Sequence, residues 1–541
     1  MQLLDLQRKT KIILRKYLKP EEFKEIEKKI KFFLTKDESL GDYSTNLLFL
    51  LENQKTQIKE VLLEEIRKKF KNYFEKIEIE SGYLNFYLSD FVLFKDLRNL
   101  IKKREKFFYR KGKKQKVIFD YVSANPTGPL HIGNIRPAVF GDLLSNFMKL
   151  LGFKVTKEYY VNDRGTQIEI LAKSAKAFCN LIPFEENFYK GEYLEKISNE
   201  YKEKIIKEDD LEKLGKFLGN IILERIIKRA LKNLGTTFDN FFFETDLYKD
   251  EKFVQKILKI YEKNGLLEKK GNALILSLTK VGETKDEYLI RDNGKPTYFL
   301  SDILYHAHKF FIRKYKLLVD IFGADHHDHV RRLKKALEIL GIKEKNLKII
   351  IYQHVLLKKG DELVKMSKRK GTYITIDDLL SLVPRDIVRF MFSSITPEVV
   401  LGFDLELAKK ETTENPYWYV EYAYARMNSI LEKLKEMNYQ IKINIDPQKV
   451  ARHLIKDEEI KSLMRSVHKF NDLSQIIVKE FKPNLFYEFL LDFAKKLHRF
   501  YENKRIIKEE IDRREILFVK VILNVLGFWL KLMNVEPVKK I

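Results

Sequence analysis

Only one cysteine, Cys179, occurs in the 541-residue sequence. No internal disulfide can form, a four-cysteine zinc knuckle is excluded, and a reducing cytoplasm is the simplest setting. Long uninterrupted apolar runs are also missing. The opening residues, MQLLDLQRKTKIILRKYLK, hold no continuous apolar core and no small-residue cleavage site, so no signal peptide is expected. The late apolar stretch ILFVKVILNVLGFWLKLM is interrupted by Lys520, Asn524 and Lys531 and reads as a buried helix, not a membrane span. There is no internal repeat and no low-complexity linker beyond local lysine richness. Acidic residues are in deficit: 103 Lys and Arg face 78 Asp and Glu, a net charge of +25 spread over much of the chain. A large polyanion is the natural partner, nucleic acid first; a solvated lysine-rich surface is the bland alternative.

What is present suggests three or four domains, at roughly 150 residues per domain. Up to about Leu100, amphipathic helical patterns alternate with a short strand, Tyr83 to Leu88. The basic stretch RKGKKQK, Arg110 to Lys116, reads as a linker. A strand at Val117 to Val122, a turn, a helix from about Ile135 to Leu151 and a strand KVTKEYYV follow in the order of a doubly wound parallel sheet. A charged, mostly helical stretch from about residue 172 to 280 reads as an insertion. The sheet then resumes with strands at Tyr298 to Leu300, KLLVDIFGAD and KIIIYQHVLL, and helical periodicity dominates after about Thr396. The expected architecture is a small α+β N-terminal domain (1–112), an α/β Rossmann-type domain with its helical insertion (113–395) and an all-α C-terminal domain (396–541).

The chemistry concentrates in two stretches. SANPTGPLHIGN, Ser123 to Asn134, follows the first strand, where ligands of open α/β sheets bind. Pro126 and Pro129 stiffen it, and Gly128 and Gly133 let backbone approach a flat ligand. His131 stands where free amides at a helix start attract phosphate, and its imidazole can donate to a phosphate as charge builds. Alone, the stretch reads first as a glycine-rich turn with a structural histidine. Downstream, LVKMSKRKGTYITIDDLL places Lys365 and Lys368 around Met366 and Ser367, followed by Arg369, Lys370 and Gly371. At the end of the same sheet, such a loop suits a mobile phosphate clamp that neutralises charge on a pentavalent phosphorus and its pyrophosphate leaving group.

Together and in this order, H-I-G-N and K-M-S-K-R resemble the HIGH and KMSKS signatures of class I aminoacyl-tRNA synthetases. The resemblance narrows to the arginyl-tRNA synthetase family in DYVSANPTGPLHIGNIRPAVFGDLL, YYVNDRGTQ, GADHHDHVRRL and NPYWYVEYAYARMNSIL, and reaches the N-terminal region through GDYSTN and SGYLNFYL. It implies that Asp120, Ser123, Asn125, Tyr298 and Asp302 hold arginine. Planar bidentate carboxylates suit a guanidinium, and a pocket built around them rejects amino acids that leave those groups unpaired. It implies catalytic roles for His131, Lys365 and Lys368, and ATP contacts at Pro129, His131, Gly133, Asn134, Gly323, Asp325, Met366, Ser367 and Lys368. It further implies activation that depends on bound tRNA, an N-terminal domain that touches the folded corner of tRNA through the region of GDYSTN, and a helical domain that grips the anticodon arm.

Three ambiguities remain at the level of sequence. The H-H-x-H spacing of His326, His327 and His329 admits a metal, but Asp325 after a strand and a Gly-Ala pair favours ribose contact, so no metal site is expected. Tyr417, Trp418, Tyr422 and Arg426 suit stacking on unpaired bases and a phosphate contact; alternatively Trp418 and Tyr422, four apart, pack a helix face into the core, the reading that local spacing favours. Three positions depart from the family pattern: Arg369 for the last serine of KMSKS, Glu421 where glutamine is common and Tyr424 where histidine is common. The expected protein is a cytoplasmic, monomeric arginine–tRNA ligase that uses ATP with Mg²⁺ on tRNA(Arg) and has no membrane partner. Class I lysine or glutamate specificity and a silent RNA-binding paralogue are the rivals.

Overall fold

The computed structural model describes residues 2–52, 56–110, 112, 115–360, 362–363, 374–439 and 446–540. The chain divides into two compact units. One comprises Lys111–Glu411 with Met533–Val535, and the other comprises Met1–Arg110, Thr412–Leu532 and Glu536–Ile541.

The first unit is built on five parallel strands: Lys116–Asp120, Lys154–Val161, Asn240–Phe243, Leu317–Gly323 and Leu347–Tyr352. Their spatial order is fifth, fourth, first, second, third. The order reverses between the first and fourth strands, which makes a crevice at their carboxyl ends. Val117, Ile118 and Phe119 are fully buried, as a strand covered on both faces requires. The helix Ile135–Leu150 is buried nearly all round, and its polar side chains are paired inside. Asp142 accepts from Tyr121 (2.9 Å), Lys157 (3.1 Å), Thr236 (2.8 Å) and Arg389 (3.1 Å). Arg389 also donates to the carbonyls of Leu234 and Met533, and so ties the helix Arg385–Phe392 to this core.

Three expectations are corrected here. Tyr298–Leu300 is not a strand but the first turn of the helix Tyr298–Ala307: the Thr297 hydroxyl accepts from the Leu300 N–H, and Phe299, Leu300, Ile303, Leu304 and Ala307 recur at helical spacing on its buried side. The stretch 172–280 is not wholly an insertion, because Asn240–Phe243 pairs in parallel with Lys154–Val161 and completes the sheet. Nor is the chain purely helical after Thr396. Leu401–Asp404 pairs in parallel with Val355–Lys359, to which Glu362–Leu363 pairs antiparallel.

In the second unit, a four-stranded antiparallel sheet (Phe32–Leu34, Tyr43–Thr45, Tyr83–Leu88, Phe74–Glu80) packs with the long C-terminal helices. Asp42 is fully buried. It accepts from the Leu88 N–H (2.8 Å) and pairs with Arg465 and Lys469 (both 3.2 Å) on the helix Glu458–Glu480. Asp472 of that helix accepts from the Tyr43 hydroxyl (2.8 Å) and the Leu3 N–H (3.0 Å), and His468 pairs with Asp96. Within GDYSTN, Asp42, Tyr43, Ser44 and Thr45 all lie inside and form a joint.

The late apolar stretch forms the helix Arg513–Leu532, whose Trp529 is fully buried among Phe108, Phe470, Phe489 and Phe493. Lys520, Asn524 and Lys531 stand on its solvent side. Among the described residues, no helix is long and apolar enough to cross a membrane.

Candidate active site

The turn after the first strand is strained. Val122 and Ser123 have φ of 69° and 35°, in the left-handed region that non-glycine residues, β-branched ones above all, avoid. Surrounding bonds hold it there. The Ser123 hydroxyl donates to Asp120 (2.5 Å) and accepts from the Tyr160 N–H (3.0 Å). Tyr159 and Tyr193 donate to the carbonyls of Ala124 (2.7 Å) and Thr127 (2.6 Å), on either side of Asn125 and Pro126. A Cβ on Gly128 would sit 2.9 Å from the Tyr193 hydroxyl oxygen, so only glycine fits without a shift.

His131 begins the short 3₁₀ turn Ile132–Asn134 that leads into the helix Ile135–Leu150. Its Nδ1 accepts from the Gly133 N–H (3.1 Å), while its own N–H donates to the Asn134 side chain (3.0 Å). With Nδ1 occupied as acceptor, the neutral ring carries its proton on Nε2, the nitrogen able to donate to a phosphate. A Cβ on Gly133 would fall 2.8 Å from the imidazole Cε1, so the ring pose itself demands glycine. The strand-like segment beside this turn comes from far along the chain: the Ile132 N–H donates to the Ile374 carbonyl (3.0 Å) and the Ile376 N–H to the Leu130 carbonyl (2.9 Å). Lys365, Met366, Ser367, Lys368 and Arg369 lie outside the described residues; the chain that follows them returns against Pro129–Ile132. Arg136, buried, donates to the carbonyls of Gln353 (2.9 Å), Thr396 (2.6 Å) and Val399 (2.6 Å), and fixes the end of the fifth strand against the same helix; burial pushes its pKa down to about 10.

The carboxyl end of the fourth strand carries Gly323 and the turn Ala324–His326. The Asp325 side chain is 86% exposed, with His354 3.9 Å away. His329 pairs with Asp302 (2.6 Å), and no group of His, Cys, Asp and Glu among the described residues is placed to hold a metal ion.

Across the crevice, the helix Tyr298–Ala307 presents Tyr298, which is exposed, and Asp302. Burial lowers the pKa of His329, but the Asp302 carboxylate outweighs it and holds the imidazole above its usual value. A residue that sequence reasoning missed joins them. Glu244, buried at the end of the third strand, accepts from the Ser301 hydroxyl (2.7 Å) and, with the Asn162 amide turned so that both its oxygen and nitrogen are satisfied, from that amide (3.1 Å). Asp163 fixes that segment by accepting from the Thr245 N–H (3.0 Å) and hydroxyl (2.7 Å). Burial, with the charge of Asp302 beside it, raises the Glu244 carboxyl to about 7. Its hydrogen-bonded partners are neutral donors, and that leaves room for a cation. Asp120 is raised to about 6, mainly by burial and despite Lys309.

The tRNA candidates lie on the helix Pro416–Glu436 of the other unit. Its buried face runs through Tyr417, Val420, Glu421, Tyr424 and Met427, one residue round from the face expected for the core. Trp418 and Tyr422 flank it, half-buried, with ring centroids 6.4 Å apart. Arg426 is engaged by His498 (3.0 Å) and Glu502 (3.5 Å). The departures at Glu421 and Tyr424 fall on the buried face, where Glu421 accepts from the Val538 N–H (2.8 Å).

Family models described as arginyl tRNA synthetase N-terminal domain, tRNA synthetases class I (R) catalytic domain, and DALR anticodon binding domain match residues 7–88, 96–386 and 420–541. The chain is 33% identical over 527 residues to the arginine–tRNA ligase of Aliarcobacter butzleri, covering 93% of this chain and 95% of that protein. It is 36% identical over 488 residues to the arginine–tRNA ligase of Caldanaerobacter subterraneus, covering 87% and 86%. Its fold is similar to that of the arginyl-tRNA synthetases of Thermus thermophilus (TM-score 0.75, 17% identity) and Plasmodium falciparum (TM-score 0.74, 17% identity), each with full coverage of both chains.

Proposed function

The chain belongs to the arginyl-tRNA synthetase family of class I, and from that premise we propose how its crevice joins arginine to ATP and then to tRNA(Arg). The observation that carries the reading is the pair Glu244 and Asp302 at the far side of the crevice from His131. Two carboxyls, one with only neutral donors bonded to it, suit a planar guanidinium that supplies the missing charge. Tyr298 borders the same space. At the near end, Asp120, Ser123 and Asn125 receive the backbone end of the amino acid, which sets its carboxylate beside the turn Pro129–Asn134.

ATP lies along that turn, with Gly133 and Asn134 near the base, Gly323 and Asp325 toward the ribose, and its phosphates toward His131. Lys365, Met366, Ser367 and Lys368 serve the triphosphate. Mg²⁺ would accompany the nucleotide, held mainly by phosphates and water with no dedicated protein cage. A carboxylate oxygen of arginine attacks the α-phosphorus in line, the bond to the bridging oxygen breaks, and pyrophosphate leaves. His131 Nε2–H and the two lysines act on charge that grows in the transition state. A terminal ribose hydroxyl of tRNA then attacks the arginyl carbonyl, and AMP departs. Tyr417, Trp418, Tyr422 and Arg426 belong to the helical segment that meets tRNA. One chain carries every part named, so a monomer suffices, and the substrates place the reaction in the cytoplasm.

ATP–pyrophosphate exchange across the twenty amino acids, with and without tRNA, tests this reading. Exchange with arginine alone among them is expected. Equal competition by citrulline, the neutral isostere, would show that no carboxylate pair reads the guanidinium.

A further inference from the structure

The helix that carries Tyr298 and Asp302 does not end cleanly. It runs into a π-turn over His308–Ile312, a distortion that recurs at functional positions. This turn directs Lys309 beneath the sheet, where its side chain is wholly buried. The ammonium lies 2.7 Å from Asp320 Oδ1 and 3.6 Å from Asp120 Oδ2. These carboxylates are register partners on the two strands that flank the order reversal. They are not equivalent. Asp320 is 1% exposed and has a second partner in His306 (3.1 Å), whereas Asp120 keeps 10% of its side chain open and has, among the described residues, no other cation within 4 Å. Glu158 adds a third acid nearby, but it is neutralised by a bidentate Arg313 (2.8 and 2.6 Å) and bonded by Tyr305 (2.8 Å).

A buried ammonium is a poor stabilising device, since apolar packing of the same volume does as well or better. Here it separates two like charges at the mouth of the crevice. We propose that Lys309 is a positioning residue: it holds the Asp120 carboxylate as an anion, in place for the α-ammonium of the amino acid substrate, and itself never touches that substrate. The inference rests on the reading that Asp120 receives arginine. Geometry favours the α-ammonium over the guanidinium at this end. Asp120 is bonded to Ser123 of the signature turn, and the α-ammonium is the cation adjacent to the carboxylate that must reach the phosphorus beside His131.

The test is arginine and ATP binding by calorimetry on the full chain, between pH 6.5 and 8.5, for the wild type, Asp120→Asn, Lys309→Met, Asp320→Asn and Lys309→Met/Asp320→Asn. Without the ammonium, Asp120 faces the Asp320 carboxylate with no cation between them and takes up a proton. Lys309→Met is therefore expected to weaken arginine binding at least tenfold at pH 7, to recover most of it by pH 8.5, and to leave ATP affinity within twofold. The double variant removes one charge of each sign and should bind arginine more tightly than Lys309→Met. If Lys309→Met does not fold, Asp320→Asn against the double variant gives the same comparison. A loss shared by ATP and independent of pH makes Lys309 merely structural and overturns the proposal. So does arginine binding within twofold of wild type in Lys309→Met when Asp120→Asn has lost it. Unchanged binding in Asp120→Asn instead overturns the reading of Asp120 itself.

Discussion

Two of the regions where this molecule buries charge do so to opposite ends. In the joint between the N-terminal sheet and the helix Glu458–Glu480, Asp42 meets Arg465 and Lys469, and Asp96 meets His468, so the chain supplies both signs. At the carboxyl ends of the parallel sheet, the hydrogen-bond partners of Glu244 are neutral donors, and burial raises its carboxyl to about 7. On the function proposed above, what distinguishes the site from the joint is where the compensating cation comes from: in the joint it is another helix, and in the crevice it is the substrate.

The widest separation of the two comes from deletion. Removing residues 1–110 takes away Phe108, which stacks on Phe528 and abuts Phe470 and Trp529, together with Tyr43 and Asp42. Arg465 and Lys469 lose their buried acid. The expected outcome is loss of cooperative unfolding of the helical segment and of the near-ultraviolet dichroism of Trp529, and with it loss of tRNA binding. Retention of a folded helical segment with weakened tRNA affinity would make the N-terminal sheet an independent RNA-binding element and the joint incidental.

Within the crevice, Glu244→Gln keeps shape and removes charge. Loss of one partner of a desolvated ion pair costs about 3–4 kcal/mol, or ~10²–10³-fold in kcat/KM for arginine. The KM for ATP and the thermal midpoint should hold, or the midpoint should rise above pH 7. The sign follows from the raised pKa: the protonated carboxyl is the form the empty fold prefers, so its contribution to stability is present at low pH and is lost as pH rises through about 7. A drop in midpoint with arginine use intact would turn Glu244 into a joint residue.

His131→Ala should lower exchange turnover about a hundredfold, since a donor aimed at developing charge is typically worth 2.7–4 kcal/mol. ATP affinity should change little, because Nε2 acts mainly in the transition state. Unchanged turnover would reduce the Nδ1 bond to Gly133 to an ordinary cap.

The two regions were not equally legible. The strand Lys154–Val161 and the helix after His131 follow from periodicity, and the histidine turn follows from its place after the first apolar strand. Glu244 escaped because NFFFETDL reads as part of an insertion. Once Asn240–Phe243 is recognised as a sheet strand, the acid that follows it falls where ligands of such sheets bind. Tyr298–Leu300 was misread as a strand because aromatic and apolar residues cluster there, and the Thr297 cap with the spacing to Ile303, Leu304 and Ala307 outweighs that local preference. The joint was invisible for a different reason. GDYSTN is polar enough to look like surface, and only the distant cations of the helix Glu458–Glu480 make its burial affordable.

Proton release on arginine binding tests the central claim most directly. At pH 6.5 a carboxyl of pKa about 7 is roughly three-quarters protonated and one of about 6 roughly one-quarter. Both must ionise to meet a guanidinium and an ammonium. Calorimetric titration of the full chain with arginine, in two buffers of different ionisation enthalpy, should therefore show release of about one proton per arginine bound, falling to about a quarter in Glu244→Gln. Identical heats in the two buffers would mean that no proton leaves, and that the crevice does not wait for a cation.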